Sequence, residues 1–127
     1  MTTRYLICGG RDFEDYGLMA SALKSLILAP HDAVIIHGAY RGADTLADRW
    51  AKCNGAQVEP YPADWRSFGP AAGPMRNKLM LDAKPDVVIA FPGGAGTRDM
   101  IFQARQMRIV VIEVIGKAED WSGEATS

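Results

Sequence analysis

Residues 86–99 combine an apolar run, a glycine-rich turn and the start of a helix in one unbroken stretch, DVVIAFPGGAGTRD. Glycines allow backbone N–H groups to approach a ligand closely, and a helix N-terminus presents unpaired N–H donors at the positive end of its dipole. Such a turn can bind an anion with backbone atoms alone. The stretch therefore predicts a site for the phosphate of a nucleotide or sugar phosphate. The residues expected to contact it are Gly93, Gly94, Gly96 and Thr97.

Two other glycine turns follow predicted strands, and both contain an arginine and an aspartate. Their candidate binding residues are Gly9, Gly10, Arg11 and Asp12 in the first turn, and Gly38, Arg41, Gly42 and Asp44 in the second. The turn at 93–97 is followed by Arg98, and a further arginine, Arg76, begins the helix predicted after residues 62–73. Guanidinium groups make paired, charge-assisted hydrogen bonds with phosphate oxygens. Their number near glycine turns suits a ligand with more than one anionic or hydrogen-bonding group.

Each of these features also has a purely structural interpretation. Glycine is common wherever a strand turns tightly into a helix. Thr97 could be only a helix N-cap, and Asp44 and Asp99 could only complement helix dipoles. The functional interpretation depends on the arginines lying beside the glycine turns.

The segment 62–73 has the proline, glycine and small-residue content of a loop, and long loops inside a compact domain are often functional. Its two aromatic residues, Trp65 and Phe68, either stack on the base of a ligand or anchor the loop to the domain. The sequence leaves both interpretations open. His37, at the end of a predicted strand, is interpreted as a near-core residue whose hydrogen bonds are satisfied.

Five apolar segments alternate with amphipathic helices along the chain. Strands are predicted at 5–8, 33–37, 57–61, 86–91 and 109–115. Helices are predicted over about 15–29 and 97–107, after Gly42 as far as Asn54, and from Pro74 with Met75, Leu79 and Ala83 on the inner face. Pro60 places the third strand near an edge of the sheet. The polar residues from Gly116 onward are expected to be loosely ordered.

Strands that are apolar throughout are typical of a parallel sheet covered on both faces. The sequence therefore predicts an α/β fold of three layers, in which a doubly wound sheet of about five mainly parallel strands has helices on both faces. Ligands bind such sheets beyond the carboxyl ends of the strands, where the strand order reverses.

Length and composition are those of one globular domain, with 127 residues, 48% hydrophobic and 23% charged, and a formal net charge of −1. This balance argues against a dedicated nucleic-acid binder. Cys8 and Cys53 form no disulfide framework, so a cytoplasmic location is expected. The two histidines lie far apart without a carboxylate cluster, so neither a metal site nor a cofactor is predicted. No apolar run is long enough to cross a membrane.

The motifs resemble those of the SLOG superfamily, the Rossmann-like group that contains the Lonely Guy phosphoribohydrolases and the DNA-processing protein DprA. The closer resemblance is to its YspA/YpsA-like branch, which is frequent in bacteria and phages. Segments 9–13, 37–44, 61–65 and 72–77 resemble the motifs of the branch, and 91–97 resembles the signature of the whole superfamily. The resemblance covers residues 5–115. It implies a single Rossmann-like nucleotide-binding domain over 1–115, followed by a polar C-terminal tail over 116–127.

The resemblance implies a protein that binds a nucleotide or nucleotide derivative, and that senses or processes a nucleotide or NAD-derived signal. In the phosphoribohydrolases, a glutamate two residues after the motif threonine and an arginine on an earlier helix act in catalysis. The matching residues here are Asp99 and Arg76. The first alternative is therefore a nucleoside 5′-monophosphate phosphoribohydrolase with these two catalytic residues. Asp99 departs from the glutamate of that pattern, and Met100 stands where the pattern has a second glutamate.

The second alternative is a DprA-like DNA-binding module, which the net charge and the lack of a basic stripe argue against. The expected partner is a small nucleotide or phosphoribosyl ligand, with no nucleic acid and no membrane. The resemblance also implies a homodimer. Its interface would use Met100, Ile101 and Met107, whose spacing fits core packing equally well.

Overall fold

A computed structural model describes residues 2–121 and shows one sheet of five parallel strands. The strands are β1 (Thr3–Cys8), β2 (Ala33–His37), β3 (Gln57–Pro60), β4 (Val87–Ala90) and β5 (Val110–Glu113). Their order across the sheet is β3-β2-β1-β4-β5, and every neighbouring pair is parallel. The chain thus builds outward in one direction from β1 to β3 and then crosses back to β4. The predicted edge position of β3 is confirmed.

Within the described residues, five α-helices connect or flank these strands. They are α1 (Tyr16–Leu26), α2 (Ala43–Asn54), α3 (Trp65–Phe68), α4 (Ala72–Asp82) and α5 (Ala95–Gln106). Short 3-10 turns occupy Pro30–Asp32, Gly69–Ala71 and Ala118–Trp121. The predicted helices therefore form, with ends that shift by a few residues.

The helices cover both faces of the sheet because neighbouring strand residues point to opposite sides. On β1, Ile7 faces a cluster that includes Leu23 of α1 and Trp50 of α2. The adjacent Leu6 faces the opposite cluster, with Met80 of α4 and Met100 of α5. All six side chains are almost fully buried. The structure confirms the three-layer, doubly wound Rossmann-like α/β fold.

The segment predicted as a loop at 62–73 contains helix α3 instead, followed by a 3-10 turn. Asp64 caps α3, since its Oδ1 accepts a hydrogen bond from the Ser67 N–H at 3.1 Å. Gly69, with φ of +55°, ends the helix. Helix α4 then begins at Ala72 rather than at Pro74. Proline is tolerated there because the N–H groups of a first helical turn have no partner within the helix.

The predicted inner face of α4 is wrong for Met75 and Leu79, although Ala83, just past the end of the helix, packs on the core as predicted. Met75 and Leu79 are exposed, whereas Gly73, Asn77 and Met80 are buried. The helix is turned so that Asn77 faces α5, to which it donates hydrogen bonds, and the spacing of apolar residues does not reveal such polar contacts.

The residues that follow β5 are ordered as far as the structure describes them. Ser25 of α1 donates a hydrogen bond to the Trp121 carbonyl at 3.0 Å, and the Trp121 indole N–H donates to the Ile115 carbonyl at 3.1 Å. The expectation of loose order is therefore wrong for 116–121, because one aromatic side chain fixes the turn against α1. The rest of that predicted tail, 122–127, lies outside the described residues.

Candidate functional site

A cleft of about 1160 Å³ lies beyond the carboxyl ends of β1, β2 and β4, where the strand order reverses. The predicted site residues that line it are Gly9, Gly10, Arg11, Asp12, Arg41, Asp44, Arg76, Gly93, Gly94, Gly96, Thr97 and Asp99. Gly38 and Gly42 do not line the cleft. Arg98 lies outside it as well, in a smaller groove beside Phe102. The three glycine turns thus meet at one rim of the sheet. Arg98, which follows the third turn, does not face the cleft.

Close packing between the turns accounts for several of the glycines. The Gly10 N–H donates to the Pro92 carbonyl at 2.8 Å, and the Gly10 carbonyl accepts from the Ala43 N–H at 3.1 Å. A Cβ at Gly9 would lie 2.7 Å from the Cβ of Ala43, and one at Gly93 would lie 2.6 Å from the Gly10 nitrogen. The structural interpretation therefore suffices for Gly9, Gly10 and Gly93.

Gly38 and Gly42 support the cleft from behind in the same way. A Cβ at Gly38 would collide with the Arg76 guanidinium, whose Nη1 donates to the Gly38 carbonyl at 2.6 Å. Gly42 has φ of +82°, and a Cβ there would collide with the Gly10 carbonyl. The backbone requires glycine at Gly42, whereas the space at Gly38 is taken by the Arg76 and Asp44 side chains.

Gly94 and Gly96 differ from all of these. Within residues 2–121, and apart from the chain neighbours and the nearby backbone of α5, no atom lies within 4 Å of a Cβ placed at either position. Neither glycine has the positive φ that would exclude another residue. Both line the cleft at the N-terminus of α5. Packing does not explain them, so the space in front of them is open to a ligand.

Thr97 lies inside the first turn of α5 and is not its N-cap. The cap position is Gly94, and the first hydrogen bond of the helix runs from the Arg98 N–H to the Gly94 carbonyl at 3.0 Å. The three preceding N–H groups, of Ala95, Gly96 and Thr97, have no partner within the helix. The side chain of Thr97 is buried against Gly93.

A network of hydrogen bonds links the two predicted catalytic residues. The Arg76 Nε donates to Asn77 Oδ1 at 3.1 Å, and Asn77 Nδ2 donates to Asp99 Oδ2 at 2.9 Å. Gln103 Nε2 donates to the same Asp99 oxygen at 2.8 Å. Asp99 therefore does more than complement the dipole of α5. Its carboxylate is held by two side-chain amides at the wall of the cleft.

Neither Asn77, which lines the cleft, nor Gln103, which supports Asp99 from behind it, is among the predicted site residues. Gln103 lies one helical turn after Asp99, and side chains at that spacing are neighbours on a helix, so the pattern could have identified it. Asn77 gives no such signal, since its contacts lie on another helix.

Asp44 lies at the floor of the cleft and is almost fully buried. Its Oδ2 accepts a hydrogen bond from the Tyr40 N–H at 3.3 Å. Burial raises the pKa of the Asp44 carboxyl, while the nearby charges of Arg76 and His37 act in the opposite direction. Burial also lowers the pKa of the Arg76 guanidinium, and Asp44 opposes that change. The two groups thus offset part of each other's cost of burial.

Arg11 and Arg41 lie at the exposed mouth of the cleft. Arg41 Nη2 is 3.4 Å from Asp12 Oδ1, and both side chains are well exposed. Exposed pairs of this kind contribute little to stability. The arginines are therefore free to reorient toward an anion.

His37 is buried behind the second turn, as predicted, with both ring nitrogens in hydrogen bonds. Its Nε2 is 2.9 Å from Asp48 Oδ1, and its Nδ1 accepts from the Ala39 N–H at 2.9 Å. Ala39 has φ of +55°, and this hydrogen bond holds the turn in that conformation.

Among the residues that the structure describes, no group of three or more histidine, cysteine or acidic side chains is arranged to hold a metal ion. No helix in the same part of the chain has both the length and the apolar character needed to cross a membrane.

Comparison with known proteins identifies relatives of the chain. The model of the YspA, cpYpsA-related SLOG family matches residues 3–68. The Gene 61 protein of Mycobacterium phage D29 is 41% identical over 117 residues, which cover 86% of this chain and 94% of that protein.

Two solved structures are similar at lower identity. The molybdenum cofactor binding protein from the phototrophic bacterium Rippkaea orientalis has a TM-score of 0.68 at 22% identity, over 89% of this chain and 76% of that chain. DNA processing protein A from Helicobacter pylori has a TM-score of 0.66 at 18% identity, over 93% of this chain and 70% of that chain. Its structure is described for its single-stranded DNA binding mode. At these identities the likeness shows the fold alone. The family model and the phage relative show more: the chain belongs to the YspA, cpYpsA-related SLOG family.

Proposed function

We propose that the protein binds a nucleotide or nucleotide derivative, with its phosphate held at the N-terminus of α5. The main support is the open space at Gly94 and Gly96, which packing does not explain, beside helix N–H groups without intrahelical partners. Backbone donors at a helix N-terminus favour phosphate. Arg11, Arg41 and Arg76 line the same cleft and would pair with phosphate or ribose oxygens.

The mixed charge of the cleft favours a small ligand with few phosphates. Its three arginines are accompanied by five carboxylates, from Asp12, Glu14, Asp15, Asp44 and Asp99. Carboxylates repel a polyanion but accept hydrogen bonds from ribose hydroxyls. A nucleotide combines a phosphate with such hydroxyls, so Asp12 and Asp44 are assigned to the ribose.

Substitution of Gly96 tests this proposal without disturbing the fold. Gly96 is the second residue of α5, and alanine is favoured over glycine in helices. We expect Gly96→Ala to fold at least as stably as the wild type but to bind nucleoside monophosphates about tenfold more weakly. The added methyl group would occupy the space proposed for the phosphate and keep it from a charge-assisted hydrogen bond with the backbone. Gly17→Ala is the matched control, since Gly17 is the second residue of α1 and lies outside the cleft.

Calorimetric titration with AMP, GMP, CMP, UMP and ribose 5-phosphate provides the measurement. Binding of one or more of these to the wild type and to Gly17→Ala, but weakly to Gly96→Ala, supports the site. Equal binding by all three proteins would place the ligand elsewhere. Binding of none of the probes would refute the proposed function.

The second candidate function is hydrolysis of a nucleoside 5′-monophosphate to a base and ribose 5-phosphate. The observation that favours it is the orientation of Asp99. Both hydrogen bonds to its carboxylate reach Oδ2, and Oδ1 accepts none from the residues that the structure describes. Such an oxygen could stabilise positive charge on the ribose as the bond to the base breaks.

In that reaction the base leaves with the bonding electrons and takes up a proton, and water adds to the sugar carbon. Arg76 would hold the substrate. Free base released from AMP, GMP, CMP or UMP would establish turnover, and Asp99→Asn should abolish it while keeping nucleotide binding. Absence of base release from all four would exclude hydrolysis of these substrates and leave the binding function intact.

The absence of a nucleic-acid partner stays a proposal, since one neighbour of the same fold is described by its single-stranded DNA binding mode. The five carboxylates in the cleft support it. A mobility-shift titration with single-stranded DNA should show no complex at low salt. A complex that weakens steeply with salt would be phosphate-driven and would contradict the proposal.

We further propose that the protein forms a homodimer, although without Met100 at its interface. Met100 is buried in the core and cannot contribute to an interface, whereas Ile101 is half-buried and Met107 is exposed. The helices α4 and α5 expose other apolar side chains, Leu79 and Phe102. These two side chains are the proposed contact.

A further inference from the structure

Trp65 forms part of the cleft wall while keeping much of its ring open to solvent. It is the first residue of α3, and its side chain is 42% exposed. Its six-membered ring packs on the backbone of α4, since a Cβ at Gly73 would lie 3.1 Å from Cη2. The ring is thus positioned by the protein without being covered by it. Anchoring of the loop explains the part of the Trp65 ring that packs on Gly73, but it does not explain the part that stays open to solvent.

Tyr40 lies beside Trp65 and comes from a different turn. The two ring centroids are 6.0 Å apart, and the ring planes are tilted by 49°. The backbone of Tyr40 is fixed at both ends, because its N–H donates to Asp44 Oδ2 at 3.3 Å and its carbonyl accepts from Thr45 Oγ1 at 2.9 Å. Both rings line the cleft. The pair is therefore a preformed aromatic surface inside the candidate site.

Phe68 lies outside this surface. It is exposed and sits on the same short helix as Trp65, but it does not line the cleft. The structure thus separates two aromatic residues that the sequence could not distinguish.

We infer, on the basis of the proposed function, that Trp65 and Tyr40 form the surface on which the base of the bound nucleotide stacks. Aromatic side chains stack on any base because every base has a π-face. The cleft is large for a small-molecule site, for which roughly 300–1,000 Å³ is usual, so it has room for a base as well as a ribose phosphate. Ligands with an aromatic base are therefore favoured over sugar phosphates without one.

The experiment compares nucleotides with a ligand that lacks the base. AMP, GMP, CMP, UMP and ribose 5-phosphate are titrated calorimetrically into the wild type, Trp65→Leu, Trp65→Phe and Tyr40→Leu. We expect Trp65→Leu to weaken nucleotide binding by roughly five- to one-hundredfold and to leave ribose 5-phosphate within about twofold of the wild type. Tyr40→Leu should cause a smaller loss of the same kind, and Trp65→Phe should recover most of the affinity.

Phe68→Leu is the matched control and should change neither the affinity for nucleotides nor that for ribose 5-phosphate. Circular dichroism of each variant checks that the fold is kept. Equal losses for the nucleotides and ribose 5-phosphate in Trp65→Leu would show that Trp65 only supports the wall, and unchanged nucleotide affinity would show that it is not used. Either result overturns the inference.

Results with the wild type separate this inference from the proposed function. If the wild type binds ribose 5-phosphate as tightly as every nucleotide, the phosphate site stands and the stacking surface is refuted. If it binds none of the five probes, the proposed function fails and the inference fails with it.

Discussion

The side-chain amide of Asn77 donates a hydrogen bond to Asp99 Oδ2 at 2.9 Å and so joins helices α4 and α5 at the cleft. The same nitrogen donates to the Gly96 carbonyl at 3.2 Å, and Asn77 Oδ1 accepts from Arg76 Nε at 3.1 Å. The Asn77 side chain is buried, so these bonds form away from water. One amide therefore positions Arg76 and Asp99 relative to the helix N-terminus proposed to hold phosphate.

Removal of this amide should destabilise the protein. Asn77→Leu keeps a similar volume but leaves the Arg76 Nε without its partner and removes one of the two donors to Asp99 Oδ2. We expect the free energy of unfolding to fall by about 1–3 kcal/mol, the usual cost of buried polar groups left unsatisfied. Urea denaturation at pH 7 provides the measurement.

Asn54→Leu is a suitable control for that experiment. The Asn54 Nδ2 also donates to a backbone carbonyl, that of Trp50 at 2.8 Å, but its side chain lies at the exposed end of α2. A loss for Asn77→Leu no larger than that for Asn54→Leu would contradict the assigned role.

The pKa of Asp44 predicts an unusual dependence of stability on pH. Burial raises that pKa above its ordinary value, so the native state binds the proton more tightly than the unfolded chain. The contribution of Asp44 to stability is then fully present below an unfolded pKa of about 4 and is lost as pH rises through the folded pKa. Asp44→Asn removes this titration.

We therefore expect the free energy of unfolding of Asp44→Asn, relative to the wild type, to increase between about pH 3 and about pH 7. Chemical denaturation at several pH values measures the difference. A difference that decreases over this interval would show that pairing with Arg76 outweighs burial.

Glu59 should show the opposite slope. Arg4 donates from Nη1 and Nη2 to the two Glu59 carboxylate oxygens at 2.8 Å each, and this hydrogen bonding lowers the pKa of Glu59. Its contribution is therefore present above the unfolded pKa of about 4.3 and is lost as pH falls through the folded pKa. Glu59→Gln should cost less than about 1 kcal/mol at neutral pH, because the pair is partly exposed.

The loss in free energy of unfolding caused by Glu59→Gln should vanish below about pH 3 and should shrink in about 1 M salt. The same denaturation series, repeated with added sodium chloride, tests both effects. A deficit that persists in acid would assign the role of Glu59 to packing instead of charge.

The sequence was most informative where one residue type determines one local outcome. Alternation along β1 sends Leu6 and Ile7 to opposite faces, and Pro60 marks β3 as an edge strand. The turn before α5 was likewise readable as a turn, because glycines are common where a strand turns tightly into a helix.

The sequence was least informative where contacts between elements decide the outcome. The rotation of α4 depends on Asn77 meeting α5, and the order of 116–121 depends on Trp121 meeting α1. Neither partner is near in sequence, so no local periodicity records the contact. Similarly, only the packing of the turns separates Gly93, which the fold requires, from Gly94, which it does not.

The proposed homodimer gives a last prediction, based on apolar side chains that the fold leaves uncovered. Leu79 on α4 is 59% exposed and Phe102 on α5 is 62% exposed, and burial of such side chains is a main driving force for association. Leu79→Glu and Phe102→Glu should each shift the protein from dimer to monomer in sedimentation velocity. The monomer that each variant forms should stay folded and melt cooperatively. Leu28→Glu is the control, since Leu28 is equally apolar and more exposed but follows α1, a helix of the opposite layer. A wild-type protein that sediments as a monomer, or a Leu28→Glu variant that dissociates as readily as the other two, would rule out this interface.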